Sequence, residues 1–310
     1  MTIAIAIHGG AGVLSREAMT PDKQRAYRAA LTAALDAGHA VLVRGGSALD
    51  AVTASVLSME DDPLFNAGKG AAFSEEGKIE LDAAVMDGST RNAGSVTGVT
   101  VARNPVLLAR CVMEATPNVM VGFAGADALA RQHGLVCVAQ DYFFTQRRWD
   151  ALQLERARIA AGGSDQGVPE DRKHGTIGAV ALDDQGRTAA ATSTGGRTAK
   201  CQGRIGDSPV IGAGTWADPL CAVSCTGDGE HFIRVAAAHD VAARLAYLGQ
   251  SLQEACDTVI HQSIGGMGST GGMVAVDVRG HVATPFHCEG MYRAFVDGQG
   301  RRLVAIYDEE

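Results

Sequence analysis

Residues 162–174, GGSDQGVPEDRKH, set the frame for any fold this chain adopts. The stretch holds three glycines, one proline and six charged or titratable side chains, and Val168 is its only aliphatic residue. A segment of that composition has nothing to bury and reads as an exposed, mobile linker. The core must therefore come from the halves on either side. Directly after it the pattern reverses: Ile177 to Leu182 and Thr188 to Thr194 are β-rich runs joined by the hairpin punctuation Asp183-Asp184-Gln185-Gly186.

The first half alternates short apolar runs with helical patterns. Ile3 to Ile7 reads as a strand broken by His8-Gly9-Gly10-Ala11-Gly12. Residues 21 to 43 read as a helix capped by Thr20 with Pro21 in its first turn. Ser47-Ala48-Leu49-Asp50 starts a second, with Leu49, Val52, Val56 and Met59 on its apolar side, ending near Asp61-Asp62-Pro63. A strand from Gly98 to Ala102, a helix opened by Asn104-Pro105 and a charged helix over 145 to 161 complete that half. The second half continues with a strand around Ala222 to Cys225 and a helix from about His231 to Leu248. A helix opened by the capping box Ser251 to Glu254 follows, then a final hairpin, Gly272 to Asp277 and His281 to Pro285, turning at Arg279-Gly280. Strand groups and helix groups segregate. That predicts an α+β fold, a four-layer αββα sandwich rather than a doubly wound parallel sheet, in a single domain over 1–310 with no internal repeat.

Composition narrows the function classes. The 310 residues carry a formal charge of −8 without a basic cluster, which disfavours nucleic acid as a partner. No apolar run approaches the roughly 18 residues of a membrane span, and residues 1–13 lack the basic start of a signal peptide, so the expected compartment is the cytoplasm. Seven scattered cysteines, without a C-x-x-C pair or a histidine at zinc-ligand spacing, read as reduced structural thiols. The 39 glycines, roughly twice the usual share of about 7%, sit in clusters and suggest tight turns and close backbone approach to a ligand.

Three apparent motifs carry no function. Gly266 to Gly271 matches G-x-G-x-x-G but follows a helix and leads into a strand, the reverse of the dinucleotide-binding context. Gly68-Lys69-Gly70 lacks the Ser or Thr that a phosphate loop needs after its lysine, and no G-x-S-x-G elbow occurs. The informative segment is His174-Gly175-Thr176-Ile177-Gly178, where the linker ends at a threonine that begins a strand. If the bond before Thr176 is cut, its α-amine is freed as a base, and an α-amine with a pKa of about 8 keeps a useful neutral fraction near pH 7. Thr176 would then be both nucleophile and base. Gly175 suits self-cleavage because a residue without Cβ tolerates strain while the hydroxyl attacks its carbonyl. Taken alone, a strand-initiating threonine after a linker is ordinary.

The ordered blocks His8 to Gly12, Phe65 to Gly68, Glu80 to Ala83, Met86 to Gly88, residues 175–183, Ala191 to Gly196, Gly203 to Pro209 and Cys225 to Glu230 together resemble the plant-type asparaginase and isoaspartyl peptidase family of N-terminal nucleophile hydrolases. The resemblance extends to Glu289-Gly290-Met291-Tyr292-Arg293 and leaves out only the linker and the extreme C-terminus. It implies that Gly175-Thr176 is the self-cleavage site and Thr176 the nucleophile, oriented by Thr194. Thr226 and Gly227 would form the oxyanion hole. Arg204 would hold a substrate α-carboxylate and Asp207 its α-ammonium, with Gly229 adding a backbone contact and Asn66 shaping the site. Arg197 is a further position near the nucleophile where activity could be tuned.

The same resemblance implies a structural sodium ion held by backbone carbonyls of Met59, Glu60, Asp62, Phe65, Ala67 and Lys69, with no cofactor for catalysis. Asp62 and Lys69 depart from the more apolar residues expected of that loop, although carbonyl ligation does not depend on side chains. The implied product is an α-chain of 1–175 and a β-chain of 176–310, assembled as (αβ)2, that hydrolyses β-aspartyl dipeptides and L-asparagine. Two other activities compete: a glycosylasparaginase, whose junction resembles Asp-Thr rather than Gly-Thr, and a precursor that binds an amino acid and never matures.

Overall fold

The computed structural model describes residues 2–12, 16–163 and 175–308. The expected linker falls almost wholly outside the described residues, which end at Gly163 and resume at Gly175. The chain runs through β1 (Ala4–Ala11), α1 (Pro21–Val43), α2 (Ala48–Glu60), β2 (Leu81–Asp87), β3 (Ala93–Val99), α3 (Pro105–Ala115), β4 (Met120–Gly122), α4 (Phe123–Gln132) and α5 (Gln146–Ala160). After residue 175 come β5 (Ile177–Leu182), β6 (Thr188–Thr194), β7 (Thr215–Ala217), β8 (Cys221–Gly227), α6 (Gly229–Val235), α7 (Ala237–Ala243) and α8 (Leu252–Asp257). β9 (Gly271–Asp277), β10 (Val282–Ala283), β11 (Phe286–His287), β12 (Met291–Val296) and β13 (Arg302–Ala305) finish the chain.

Two sheets form the centre. One runs β13-β12-β1-β5-β6-β2-β3-β4, antiparallel except for the parallel β3–β4 pair, and the other runs β10-β9-β8-β7 with β11 also on β9. Side-chain alternation assigns each face. Ala4, Ala6, Val180, Leu182 and Ala190 of the first sheet meet Ala222, Val274 and Val276 of the second in one buried layer. Their neighbours Ile5, Ile7, Ala179, Ala181, Ala189 and Ala191 point the other way, into a core shared with α1, α2 and α3. Val223, Cys225, Met273 and Ala275 do the same on the far side, against α6, α7 and α8. Both faces of both sheets are covered, so the period-2 pattern expresses itself as two apolar faces rather than one apolar and one polar. The layering is αββα. Among the described residues no helix is long and apolar enough to cross a membrane.

Local signals hold where a cap or turn fixes them. Thr20 accepts from Lys23 N–H at 3.3 Å with Pro21 in the first turn, Ser47 accepts from Asp50 N–H at 3.1 Å, and Ser251 and Glu254 form the capping box. The hairpin turns close at Gly186 (φ +77°) and Gly280 (φ +82°). Five readings need correction. The first strand does not break at His8 but runs on to Ala11, past a bulge between His8 and Gly10 in its pairing with β12. The strand placed at Gly98 to Ala102 lies at Ala93–Val99, because the chain turns out of the sheet just after Gly98 (φ +62°). The helix drawn from His231 to Leu248 is interrupted at Ala236, whose left-handed φ of +49° separates α6 from α7, and its last turn, Arg244–Leu248, is π-helical. The hairpin at 272–285 is not the last, since β12 and β13 follow and edge the large sheet. β2, also unread, is central to the large sheet, buried from Leu81 to Met86.

Candidate active site

Strand register brings the two threonines together. β5 and β6 pair with Ile177 opposite Ser193, so Thr176 and Thr194, one step further along each, meet at the sheet's end. Thr176 Oγ1 donates to Thr194 Oγ1 at 3.3 Å, and Thr194 Oγ1 also accepts the Gly196 N–H at 3.0 Å. The Thr194 hydroxyl in turn donates to the Gly175 carbonyl at 3.0 Å, and Asn66 Nδ2 donates to that same oxygen at 2.8 Å. Asn66 is itself fixed: Nδ2 also donates to Gly196 O at 2.7 Å and Oδ1 accepts Ala72 N–H at 2.6 Å. The carbonyl before Thr176 is thus polarised by two donors while the adjacent hydroxyl feeds the relay that supplies one of them.

The end of β1 closes over this bond. A Cβ on Gly10 (φ +116°) would stand 3.2 Å from Gly175 Cα and 3.4 Å from Thr176 N, so only glycine permits the approach. His8 lies beneath, fully buried. Its Nδ1 donates to Thr176 O at 2.9 Å, which leaves Nε2 to accept from Ser224 Oγ at 2.9 Å. Burial, opposed by that backbone bond, drives the His8 pKa down to about 3, so the ring is neutral. Ser224 then accepts from Thr192 at 2.7 Å and Thr192 from Thr215 at 2.7 Å, with the Ser208 carbonyl 3.0 Å from the same Thr215 hydroxyl. This buried polar spine between the sheets ties the Thr176 backbone to the loop that carries Asp207.

Arg204 and Asp207 converge on the same cleft, which is lined by Thr176, Thr194, Arg197, Asp207 and Gly227 among others. Asp207 is buried, and its Oδ2 has no hydrogen-bond partner among the described residues. Burial raises its pKa to about 7 despite the Arg204 charge. Arg204 is held bidentately by Glu230, through Nε at 3.0 Å and Nη2 at 2.9 Å, and this pairing holds Glu230 at about 2 although partial burial pushes it the other way. The remaining nitrogen, Nη1, faces the cleft, 3.0 Å from where a Cβ on Gly206 would stand and 3.5 Å from one on Gly196. A Cβ on Gly229 would fall 2.7 Å from Asp207 Oδ1, so Gly229 keeps its backbone against the carboxylate. Thr226 Oγ1 accepts the Ala11 N–H at 3.1 Å, which frees its own proton for another acceptor. Gly227 (φ +147°) has no space for a side chain, since a Cβ would lie 2.6 Å from Gly271 Cα. With Gly175 in place the cleft offers ≈ 10 Å³, room for about one water.

The 59–69 loop stands behind Asn66. The Glu60 carbonyl accepts Lys69 N–H at 2.8 Å, Met59 O accepts Asp62 N–H at 3.2 Å and Asp62 O accepts Phe65 N–H at 3.3 Å. The Glu60 carboxyl is buried, taking the Val106 N–H at 3.0 Å and the Ser193 hydroxyl at 2.7 Å, and burial raises its pKa to about 8. Among the described residues no cluster of His, Cys, Asp and Glu is arranged to hold a metal ion, so any cation here would rely on carbonyl oxygens.

A family model described as asparaginase matches residues 1–306. The chain belongs to this asparaginase family. An isoaspartyl peptidase of Escherichia coli (strain K12) is 48% identical to it over 309 residues, 99% of this chain and 96% of its own length. An isoaspartyl peptidase/L-asparaginase of Xenopus laevis is 38% identical over 315 residues, 100% and 97% of the two chains. The human isoaspartyl peptidase/L-asparaginase is 38% identical over 282 residues, 90% and 88%.

Every residue singled out for the reaction in this member of the asparaginase family lies at or beside one cleft, with Thr226 just behind the lining residue Gly227. Three residues at the cleft were not singled out from sequence. His8 is a histidine in an apolar strand, a signal in itself, since a buried imidazole needs partners on both nitrogens. Glu230 sits next to Gly229 but meets Arg204 only through the fold. Arg148, buried beside Gly175, comes from the charged helix α5 and looks like any surface arginine in sequence.

Proposed function

We propose that this chain is the precursor of an isoaspartyl peptidase with L-asparaginase activity, activated by cutting itself before Thr176. The observation that carries the reading is the Gly175 carbonyl, which accepts from Asn66 and Thr194 while the Thr176 hydroxyl donates to Thr194. In the self-cleavage step Thr176 Oγ attacks that carbon, and its proton passes through Thr194. The C–N bond breaks with the proton delivered to the Thr176 nitrogen. Water then hydrolyses the Gly175 ester, leaving a Gly175 carboxylate and a free Thr176 α-amine. Departure of Gly175 opens the cleft.

In the mature enzyme the α-amine of Thr176 takes the proton of its own hydroxyl, and Oγ attacks the β-carbonyl of the substrate. Thr226 and Gly227 stabilise the oxyanion. The amine leaves with the proton from the α-ammonium, and water releases aspartate from the ester. Arg204 Nη1 suits the substrate α-carboxylate and the unpartnered Asp207 Oδ2 its ammonium. Catalysis draws on no cofactor. We further assign a structural sodium ion to the carbonyls of Met59, Glu60, Asp62, Phe65, Ala67 and Lys69. The fit rests on glycine: a Cβ on Gly68 would meet Glu60 O, and one on Gly70 would lie 2.8 Å from Phe65 O, so only residues without side chains let the backbone close round these oxygens. The assembly is read as (αβ)2 and the compartment as cytoplasm.

The reading is tested by comparing kcat/KM for β-Asp-Leu, L-asparagine, α-Asp-Leu and N-acetylglucosaminyl-asparagine. The Arg204–Asp207 grip is common to β-aspartyl peptides and asparagine, and an α-linked scissile carbonyl lies one carbon out of place. β-Asp-Leu should be the best substrate and asparagine weaker. Efficient cleavage of α-Asp-Leu, or a preference for the sugar conjugate, would contradict it.

A further inference from the structure

Gly175 borders two cavities, not one. The first is the cleft of Arg204 and Asp207. The second, of ≈ 30 Å³ before Gly175 departs, is walled by the Gly9–Ala11 end of β1, Asn66, Tyr27, Tyr292, Arg147 and Arg148. Its described wall holds two guanidinium side chains and no carboxylate. Arg147 donates to neutral acceptors, Tyr27 Oη at 2.8 Å, Leu64 O at 2.7 Å and Pro63 O at 3.3 Å, none of which balances its charge. Arg148 is buried, anchored by Nε on Gly70 O at 2.8 Å, and its Nη2 reaches within 3.9 Å of where a Gly175 Cβ would stand. Tyr27 and Tyr292 stack with centroids 4.2 Å apart, a flat apolar shelf along the same wall.

Reaction geometry says what belongs there. A substrate β-carbonyl carbon must lie against Thr176 Oγ, and with its oxygen toward Thr226 and Gly227 and its aspartyl end in the first cavity, the amine side of the bond is left the second. In a β-aspartyl dipeptide that amine belongs to an amino acid whose carboxylate is only one Cα away from the scissile nitrogen. We propose that the second cavity is the leaving-group subsite, where Arg147 and Arg148 read the free α-carboxylate of the departing amino acid and the Tyr27–Tyr292 shelf supports its side chain. The inference rests on the isoaspartyl peptidase reading and extends it: the enzyme selects dipeptides with a free C-terminus over capped or longer peptides.

The test compares β-Asp-Leu with β-Asp-leucinamide, which lacks only the carboxylate, with rates normalised to the amount of free Thr176 N-terminus. Loss of a charge-assisted contact should make the amide about 10- to 100-fold poorer in kcat/KM for the wild-type enzyme. Arg147→Gln and Arg148→Gln, taken singly, should each reduce that ratio toward one. Equal turnover of both peptides by the wild type, or a ratio that neither variant moves, overturns the subsite alone. A wild type that hydrolyses neither peptide overturns the reaction and the subsite with it.

Discussion

Both lone pairs of the Gly175 carbonyl are taken by side chains, Asn66 and Thr194, whereas loop carbonyls ordinarily face water or backbone donors. That arrangement assigns Asn66 a role in maturation beyond shaping the site. Asn66→Asp keeps the shape, removes the Nδ2 donor and places a negative charge beside a developing oxyanion. Self-cleavage should slow by about 10²- to 10³-fold, followed as the fraction of intact chain over time. Unchanged cleavage would remove Asn66 from the step. Asp207 gives a second prediction, in pH. Its raised pKa of about 7 means that acidification neutralises the free enzyme's carboxylate below that value and weakens its hold on the substrate ammonium. The kcat/KM profile should therefore fall on the acid side as Asp207 and the Thr176 α-amine both take up protons, and Asp207→Asn should lower the plateau and make that fall shallower, leaving the limb of the amine. An Asp207→Asn profile identical to wild type would show that another group sets it.

At the scale of elements, legibility followed locality. Helices α1, α2 and α8 could be read because Thr20, Ser47 and Ser251 cap them from within the same few residues. The break at Ala236 could not, because nothing in an alanine announces a left-handed conformation that its surroundings impose. β2 and β12 escaped because strands covered on both faces show no polar alternation, and their partners lie far away in sequence. The same holds for the Arg204–Glu230 pair, made where the loop before β7 meets the first turn of α6. The nucleophile hairpin, by contrast, was written in one stretch. The loop after α2 carries the sodium prediction: exchange of sodium for choline chloride at constant ionic strength should lower the melting temperature. Saturating binding at 100 times Kd is worth about 2.7 kcal/mol, and each kcal/mol corresponds to about 2–4 °C in a chain somewhat smaller than this one. No shift between the two salts would dismiss the ion.

The whole molecule explains why a threonine can do this work. Thr176 sits at the end of β5, in the middle of the large sheet and against the second sheet, so its backbone is fixed by pairing with β1 and β6 and by the His8–Ser224 spine. Rigid placement on a central strand supplies the geometry that a freed N-terminus would otherwise lack. The bond before Thr176 lies just outside β5, so cutting it would leave the strand pairing of the layers in place. The account stands or falls on that bond, and intact mass under denaturing conditions reads it directly. Wild-type protein should give two fragments, the second beginning Thr176-Ile177-Gly178, and Thr176→Ala should remain one chain without hydrolase activity. A Thr176→Ala protein that still splits before residue 176, or an uncut wild type that hydrolyses β-Asp-Leu at full rate, would contradict it.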